Sequence, residues 1–190
     1  MQHGVFFKTM ASLGKAAGAP EATPPSGPVD LTGLIDKKSI VCLNQNSSNP
    51  IGNALSDRPD TFVETDCDDQ LLVTLPFNSS VKIMSITIRS PDIEHAPSKV
   101  KLFANRLSLD FDSAGSVKAE QEFDLDAGVA QGSGITLKLY FVKFQNVNSL
   151  TLFFPGPTHG GEETSRISRI QITGLTSQAQ NLAVLKEKSG

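Results

Sequence analysis

The chain has 190 residues and carries 17 Lys and Arg against 20 Asp and Glu, for a formal net charge of -3. This length allows one domain with tails, since a domain of about 150 residues buries roughly 70% of its unfolded-chain surface without disulfides or metals. The basic residues are scattered among carboxylates, and no apolar run approaches the roughly 20 residues that cross a bilayer. We therefore expect no nucleic-acid partner and no membrane partner.

The two ends of the chain differ in composition from its middle. Residues 16–28 contain only Ala, Gly, Pro, Ser and Thr with one Glu, a composition that buries too little apolar area to offset the entropy of ordering. We predict that residues 1–28 are a flexible linker or the remnant of an upstream module. Residues 29–176 are predicted as the folded domain, and residues 177–190 as a tail that can form one short helix.

The middle of the chain is dominated by the period-2 alternation of β-strands. The cluster from Asp30 to Ile35 fits a short helical turn or an irregular strand equally well. Leu71 to Phe77 alternates as a strand and ends at the polar residues 78–80, which predict a turn, so Val81 to Arg89 is predicted as its hairpin partner. The apolar phase changes within this second strand, which indicates a bulge or burial on both faces.

Further short strands are predicted along the rest of the domain, with connections rich in Gly, Pro, Asn and Ser. They are Val100–Asn105, Gln121–Leu125, Ile135–Leu139, Phe141–Phe144, Leu150–Phe154 and Ile167–Thr173. Eight or more strands in about 145 residues, without helical periodicity between them, indicate an all-β fold. The fold class is a β-sandwich or jelly roll.

Four phenylalanines in two of these runs are predicted to serve the core. They are Phe141, Phe144, Phe153 and Phe154. Adjacent residues of a regular strand face opposite sides, so we expect either Phe153 or Phe154 to be exposed or to be covered by the tail. An exposed aromatic side chain beside a polar loop would be an interaction anchor.

Cys42 and Cys67 are far apart in the sequence and form neither a redox Cys-x-x-Cys pair nor a zinc-binding set. This usage favours a reducing compartment. We expect two buried thiols that act as small hydrophobic side chains, with a disulfide or a reactive thiol as the alternatives.

The histidines offer little support for catalysis. His3 lies in the linker, whereas His95 and His159 are predicted in exposed loops, and no nucleophile motif surrounds any Ser. We predict no catalytic residues, no cofactor and no metal, and therefore a protein that is not an enzyme.

Two acidic clusters are the candidate binding sites. Asp66, Asp68 and Asp69 form the denser cluster, and hard oxygen ligands of this kind could bind Ca²⁺ if the fold gathered them. The structural alternative is that Asp66 caps the turn before the Leu71 strand while Asp68 and Asp69 stay solvated or pair with Arg58 or Arg166.

The second cluster lies in the loop from Gly160 to Arg166, where two glycines free the backbone and a polar set precedes an apolar strand. Loops of this kind carry binding on β-sandwiches, so Glu162, Glu163 and Arg166 are candidate partner contacts. The alternative is that Arg166 makes a structural salt bridge and that the glycines only permit positive φ.

Several motifs in a fixed order resemble the PITH domain, the proteasome-interacting module of thioredoxin-like proteins. They are Cys42–Asn44, Asn53–Leu55, Thr65–Leu72, Phe141–Phe154 and Gly161–Ile167. The resemblance implies a jelly-roll β-sandwich of the galactose-binding-domain-like type. It also implies a docking module that binds the proteasome regulatory particle, with cytoplasmic and nuclear localisation.

The chain departs from the family pattern in two respects. In many members a thioredoxin domain with a Cys-Gly-Pro-Cys site precedes this module, and nothing here supplies that motif, so we expect no disulfide reductase activity. Gly161 stands where the family often has another Glu, which implies a weaker contact if that loop meets a basic surface.

Our leading hypothesis is a monomeric, non-catalytic adaptor. The alternative is a β-sandwich that binds carbohydrate or Ca²⁺. The absence of Trp and the presence of a single Tyr, Tyr140, weaken the carbohydrate hypothesis because few aromatic stacking platforms are available.

Overall fold

The structure is a computed structural model that describes residues 27–56 and 58–176. The predictions of a linker before residue 27 and of a helical tail after residue 176 lie outside the described residues. Within those residues the chain forms ten strands, one short α-helix and four 3-10 turns. The strands are Val29–Asp30 (β1), Val41–Leu43 (β2), Val63–Glu64 (β3), Leu71–Arg89 (β4), Lys99–Ala104 (β5), Gln121–Asp124 (β6), Ile135–Lys138 (β7), Val147–Phe154 (β8), Arg166–Ile167 (β9) and Arg169–Thr176 (β10).

The helix and turns occupy connections between strands. The helix α1 spans Phe111–Ser116, and the 3-10 turns span Thr32–Leu34, Ile51–Asn53, Ala127–Ala130 and Phe141–Lys143. Both forms expected near the start of the domain occur, since β1 is followed directly by the turn at Thr32–Leu34.

The long strand β4 organises the sandwich, because its two halves pair with different neighbours. Its first half pairs with β2 and β8, whereas its second half pairs with β10 and β7. The predicted hairpin is therefore wrong: residues 78–80 remain extended and connect the two halves without a turn. They are polar because they are exposed where the strand passes between its two sets of partners, and not because the backbone reverses there.

All these pairs are antiparallel, and together they give the order β1-β10-β4-β8-β5-β6, with β2 and β7 beside β4. The expected bulge is present. Ser85 faces Thr173 and Ile83 faces Gly174, which leaves Met84 as an extra residue on β4. The bulge explains the change of apolar phase, since Ile83 and Ile86 both point into the core.

The main core lies between the two halves of β4. It collects the alternating residues of the first half, Leu71, Val73 and Leu75, and also Ile83, Ile86 and Ile88 of the second half. This is the period-2 pattern from which the strand was predicted. The all-β sandwich expected from the sequence is confirmed.

The outer face of the first half of β4 is also buried, because α1 and its flanking loops cover it. Leu72, Phe103 and Phe153 form a second apolar cluster there, and the Phe111 ring lies 6.1 Å from the Phe153 ring. Phe154 lies in the main core. The expectation that one of the adjacent phenylalanines is exposed or covered by the tail is wrong, since α1 provides the cover.

The segment predicted as a strand from Phe141 to Phe144 is instead a 3-10 turn. Phe144 is fully buried, as expected, but Phe141 is 54% exposed. Tyr140 and Val142 are exposed beside it, so the apolar composition of this segment reflects a surface patch and not a buried strand.

Candidate functional site

Both acidic clusters lie at one end of the sandwich, which we call the acidic end and define as the loops 65–70, 91–98 and 155–166. The short strands β3 and β9 bring the first and last of these loops together, with Glu64 opposite Arg166. Ser165 joins them directly. Its Oγ donates to the Asp69 carbonyl at 2.7 Å, and its backbone N donates to Thr65 Oγ1 at 2.8 Å.

Asn44 holds the loop that carries Asp66, Asp68 and Asp69. Its side-chain nitrogen donates to Asp68 Oδ1 at 2.7 Å and to the Gln70 carbonyl at 2.8 Å, and its Oδ1 accepts from the backbone N of Cys67. Asn44 itself has a φ of 65°, a left-handed conformation that Asn tolerates better than most residues.

Asp68 therefore has the turn-capping role that the sequence predicted for Asp66. Its Oδ1 also accepts from the backbone N of Gln70 at 3.0 Å, which closes the turn immediately before β4. Asp66 was the residue predicted to cap this turn, but its carboxylate lies on the exposed surface and contacts the neighbouring Cys67 thiol, at 3.7 Å.

Asp69 is turned towards the loop after β8. A Cβ added at Gly156 would lie 2.5 Å from its Oδ1, so the carboxylate packs directly against a glycine whose φ is 69°. Only glycine satisfies both the backbone conformation and the close approach at this position. Asp69 is partly buried and is less available to a partner than Asp66.

Arg166 makes a structural ion-pair network, which was the alternative left open by the sequence. Its Nε donates to Glu64 Oε1 at 2.7 Å, its Nη1 lies 3.7 Å from Asp92 Oδ2, and its guanidinium stacks on Phe62. The ion pairs that it makes within the described residues are with Glu64 and Asp92, and not with the Asp68 or Asp69 carboxylates.

The loop 91–98 of the acidic end is held by the ion-pair network of Arg166. Asp92 Oδ1 lies 2.7 Å from His95 Nδ1 and also accepts from the backbone N of His95. Burial opposes ionisation of Asp92, but these hydrogen bonds and the charges of His95 and Arg166 outweigh it and lower the pKa of Asp92. His95 is thereby a half-buried structural residue, and the expectation that it is exposed is wrong.

The loop that carries Glu162 and Glu163 packs on the loop 91–98 through Gly160 and through the backbone N of His159, which donates to the Ala96 carbonyl at 2.8 Å. The backbone N of Gly160 donates to the Glu94 carbonyl at 3.0 Å, and a Cβ at Gly160 would lie 2.6 Å from the Glu94 Cα. His159 Nε2 lies 2.7 Å from the Leu125 carbonyl. The two Glu side chains are exposed.

The structure thus divides the six candidate residues into two groups. Asp66, Glu162 and Glu163 are exposed, and their carboxylates hold no other loop in place within the described residues. Asp69 and Arg166, which are partly buried, and Asp68, which is exposed but hydrogen-bonded to Asn44 and Gln70, help to hold the loops in position. Glu94 is a further exposed carboxylate at this end, and no local pattern in the sequence marks it, because contacts with residues distant in sequence, such as Arg166 with Asp92 and Gly160 with Glu94, bring its loop to the site.

The described residues contain no cluster of three or more His, Cys, Asp or Glu side chains arranged to hold a metal ion. Both cysteines are free. Cys42 packs against the main core, and burial raises the pKa of its thiol to about 12. Cys67 is exposed in the acidic loop. The expectation of two buried thiols is therefore met in part by Cys42, which is partly buried, and is wrong for Cys67.

Tyr140 lies away from the acidic end, beside the exposed Phe141. The one tyrosine is therefore not available there as a stacking platform for a sugar. No helix among the described residues is long and apolar enough to cross a membrane.

The geometry described above is that of an antiparallel β-sandwich with a loop-built surface at one end, and comparison with solved structures agrees. The third family 32 carbohydrate-binding module of a Clostridium perfringens family 31 glycoside hydrolase matches with a TM-score of 0.54 and 11% identity, over 76% of this chain and 97% of that one. Another Clostridium perfringens module of this type, solved in complex with GalNAc-β-1,3-galactose, matches with a TM-score of 0.55 and 16% identity, over 76% and 99%. At these identities the likeness shows the galactose-binding-like fold alone.

The family is shown by sequence. The family model described as the PITH domain matches residues 21–190, and the chain belongs to this family. It is 33% identical over 162 residues to thioredoxin-like protein 1 of Schizosaccharomyces pombe, covering 84% of this chain and 56% of that protein. It is also 34% identical over 150 residues to a PITH domain-containing protein of Drosophila pseudoobscura pseudoobscura, covering 76% and 69%, and 32% identical over 155 residues to PITH domain-containing protein 1 of Dictyostelium discoideum, covering 79% and 75%.

The names of the two PITH domain-containing relatives state a domain and no enzymatic activity. The chain spans only 56% of the thioredoxin-like protein, so the similarity concerns the PITH domain and not a whole thioredoxin-like protein.

Proposed function

We propose that this chain is a non-catalytic interaction module that docks a thioredoxin-like or stand-alone protein onto the regulatory particle of the 26S proteasome. The observation that carries the proposal is membership of the PITH domain family, because a family of proteasome-interacting modules implies the same class of partner for this member. The proposal includes a monomeric state and localisation in the cytoplasm and nucleus.

The acidic end is the docking surface in this proposal. Three of its exposed carboxylates, Asp66, Glu162 and Glu163, project from loops that are cross-linked by Ser165 and Arg166. Loops held in this way lose little conformational entropy on binding, which favours affinity. An acidic surface on such loops suits a basic surface of the partner, and the attraction should increase the association rate at low salt.

The other three candidate residues contribute indirectly, through contacts that hold the loops. Asp68, Asp69 and Arg166 set the position of the exposed carboxylates, so replacing them would alter binding through the shape of the loops. A binding experiment must therefore change the exposed group alone, because a loss of affinity in an Arg166 variant would not separate contact from folding.

The experiment that tests the proposal is an affinity pulldown from native lysate at low salt with the full chain as bait, read by mass spectrometry. The site variant is Asp66→Lys, Glu162→Lys and Glu163→Lys together. The control variant carries the same charge change on three exposed carboxylates elsewhere: Asp112→Lys, Glu122→Lys and Asp124→Lys. Circular dichroism checks that each variant is folded.

We expect regulatory-particle subunits with the parent and the control variant, and a strong reduction with the site variant. Failure of the folded parent to recover proteasome subunits would refute docking, whereas equal recovery by the site variant would refute the acidic end as the surface. Calorimetry of the parent with Ca²⁺ and with galactose tests the ligand-binding alternative, for which we expect no heat of binding.

A further inference from the structure

A second surface, far from the acidic end, exposes four apolar side chains together. We call it the aromatic patch and define it as Met84, Tyr140, Phe141 and Val142. Tyr140 is 63% exposed, Phe141 54% and Val142 81%, and Met84 is 38% exposed beside them. Clustered exposed apolar side chains of this size are unusual on a monomer and mark interaction sites.

The backbone of the patch is fixed on both sides of the β4 bulge. The backbone N of Leu139 donates to the Met84 carbonyl at 2.9 Å, and the backbone N of Ile83 donates to the Phe144 carbonyl at 2.9 Å. The Gln121 side chain accepts from the backbone N of Tyr140 at 2.8 Å. The turn is therefore held rigidly, and the bulge directs Met84 to the same side.

A cleft of about 400 Å³ opens next to the patch. Met84, Leu139 and Phe141 line it together with Thr136 and Lys138. A mainly apolar cleft with a polar rim accepts an apolar anchor side chain, and Met and aromatic residues are enriched at such interfaces.

The rim of the patch is basic although the whole chain is acidic. Lys82 places its Nζ 3.2 Å from the Phe141 ring centroid, Lys143 places its Nζ 5.7 Å from the Tyr140 ring, and Lys138 borders the cleft. None of the ion pairs identified among the described residues involves these three lysines. The patch thus combines apolar contact area with positive charge that is not paired with a carboxylate in the described part of the chain.

We propose that the aromatic patch binds an acidic amphipathic segment of a partner protein. One apolar side chain of the segment enters the cleft, and its carboxylates pair with Lys138 and Lys143. The Lys143 ammonium donates to the Glu120 backbone carbonyl, which carries no net charge. Charge complementarity favours an acidic occupant, because a neutral apolar segment would leave the two lysine charges without a carboxylate and a basic one would be repelled.

This binding would be separate from docking through the acidic end. Lys82 and Arg89 are seven positions apart on β4, which corresponds to about 23 Å of strand, and Arg89 lies two residues before the loop 91–98 of the acidic end. The proposal does not depend on proteasome binding, and a failure of one leaves the other standing.

The chain provides its own reporter for the test. It contains no Trp, and Tyr140 is its single Tyr, so the intrinsic tyrosine fluorescence reports on the patch alone. The full chain is used to select binders from a phage library of random 16-residue peptides. Enriched peptides that lack Tyr and Trp are synthesised and titrated while the Tyr140 emission is followed.

Two variants and one control decide the outcome. Val142→Asp removes apolar area at a highly exposed position, and Lys138→Glu with Lys143→Glu reverses the rim charge. Val41→Asp is the control, since Val41 is 46% exposed on β2 away from the patch. Unchanged thermal unfolding shows that the variants are folded.

We expect enriched peptides that combine apolar residues with Asp and Glu, and a Kd at least tenfold weaker for both patch variants but within twofold for Val41→Asp. Failure to enrich any peptide, enrichment of basic peptides, or equal binding by Val142→Asp would overturn the proposal.

Two alternative occupants of the aromatic patch are tested by measurements on the full chain. A dimer in sedimentation that Val142→Asp dissociates would overturn the proposal in favour of a second copy of the chain. Increased quenching of Tyr140 by iodide after Leu182→Asp and Leu185→Asp would overturn it in favour of the chain's own C-terminal segment.

Discussion

The side chain of Asn44 is expected to be the main support of the acidic loop, and Asn44→Asp tests this. The substitution keeps the Oδ1 that accepts from the backbone N of Cys67 and removes the NH₂ group that donates to Asp68 and Gln70. It also places a carboxylate oxygen where the nitrogen now lies 2.7 Å from Asp68 Oδ1.

The magnitude follows from these contacts. The two hydrogens of the NH₂ group make about two good hydrogen bonds, each worth roughly 0.5–1.5 kcal/mol. Repulsion between two exposed carboxylates at this separation adds about 1 kcal/mol. We expect the free energy of unfolding at pH 7 to fall by about 2–4 kcal/mol, which corresponds to roughly 5–15 °C in Tm for a domain of this size.

Urea unfolding followed by circular dichroism at pH 7 measures the free energy of unfolding of the parent and of the variant.

Asn46→Asp is the matched control, since it adds the same charge two residues away and keeps the Oδ1 that accepts from Ser48 at 2.9 Å. We expect it to change the free energy of unfolding by less than about 0.5 kcal/mol. Equal losses in the two variants would refute the reasoning, because added charge and not the Asn44 amide would then explain them.

Three further predictions concern the same end of the domain. Gly156→Ala should destabilise the fold by at least about 1 kcal/mol more than Gly161→Ala, because both glycines have positive φ but only Gly156 faces a carboxylate; equal urea midpoints would contradict this packing. The difference in stability between the parent and Asp92→Asn should be full at neutral pH and decrease as the pH falls below about 4, since the lowered pKa of Asp92 stabilises the fold only while the group is ionised; a difference independent of pH would argue against it. Under native conditions at pH 8, iodoacetamide should label Cys67 and spare Cys42, whose thiol pKa is raised to about 12 by burial, and equal labelling in peptide mass spectra would show that Cys42 is accessible.

Much of the fold was predictable because strand alternation is a local signal. The alternation from Leu71 to Phe77 and the short apolar runs near Val100, Gln121, Ile135 and Leu150 correspond to strands in the structure. The hairpin was not predictable in this way, since residues 78–80 are polar for reasons of exposure and the same pattern marks a turn. Burial of Leu72 and Phe153 depends on α1, which covers the outer face of the sheet and has no strong signal of its own.

The location of the candidate site was predictable from the sequence, but the role of each residue in it was not. The two acidic loops do meet, through Ser165 and the pairing of β3 with β9. The roles of the candidate residues depend on partners distant in sequence. Asn44 hydrogen-bonds to Asp68, and Glu64 and Asp92 form ion pairs with Arg166. The sequence did not reveal that Phe141 is exposed, because a short apolar run is compatible with either a buried strand or a 3-10 turn at the surface.

The central claim is tested most directly by measuring the affinity of the full chain for purified 26S proteasome, for the isolated regulatory particle and for the isolated core particle by biolayer interferometry. We predict binding to the first two and not to the third. We also predict a Kd at least tenfold weaker for the Asp66, Glu162 and Glu163 charge reversal, with little change for the Asp112, Glu122 and Asp124 control. Absence of binding to the regulatory particle by the folded parent would contradict the proposed function.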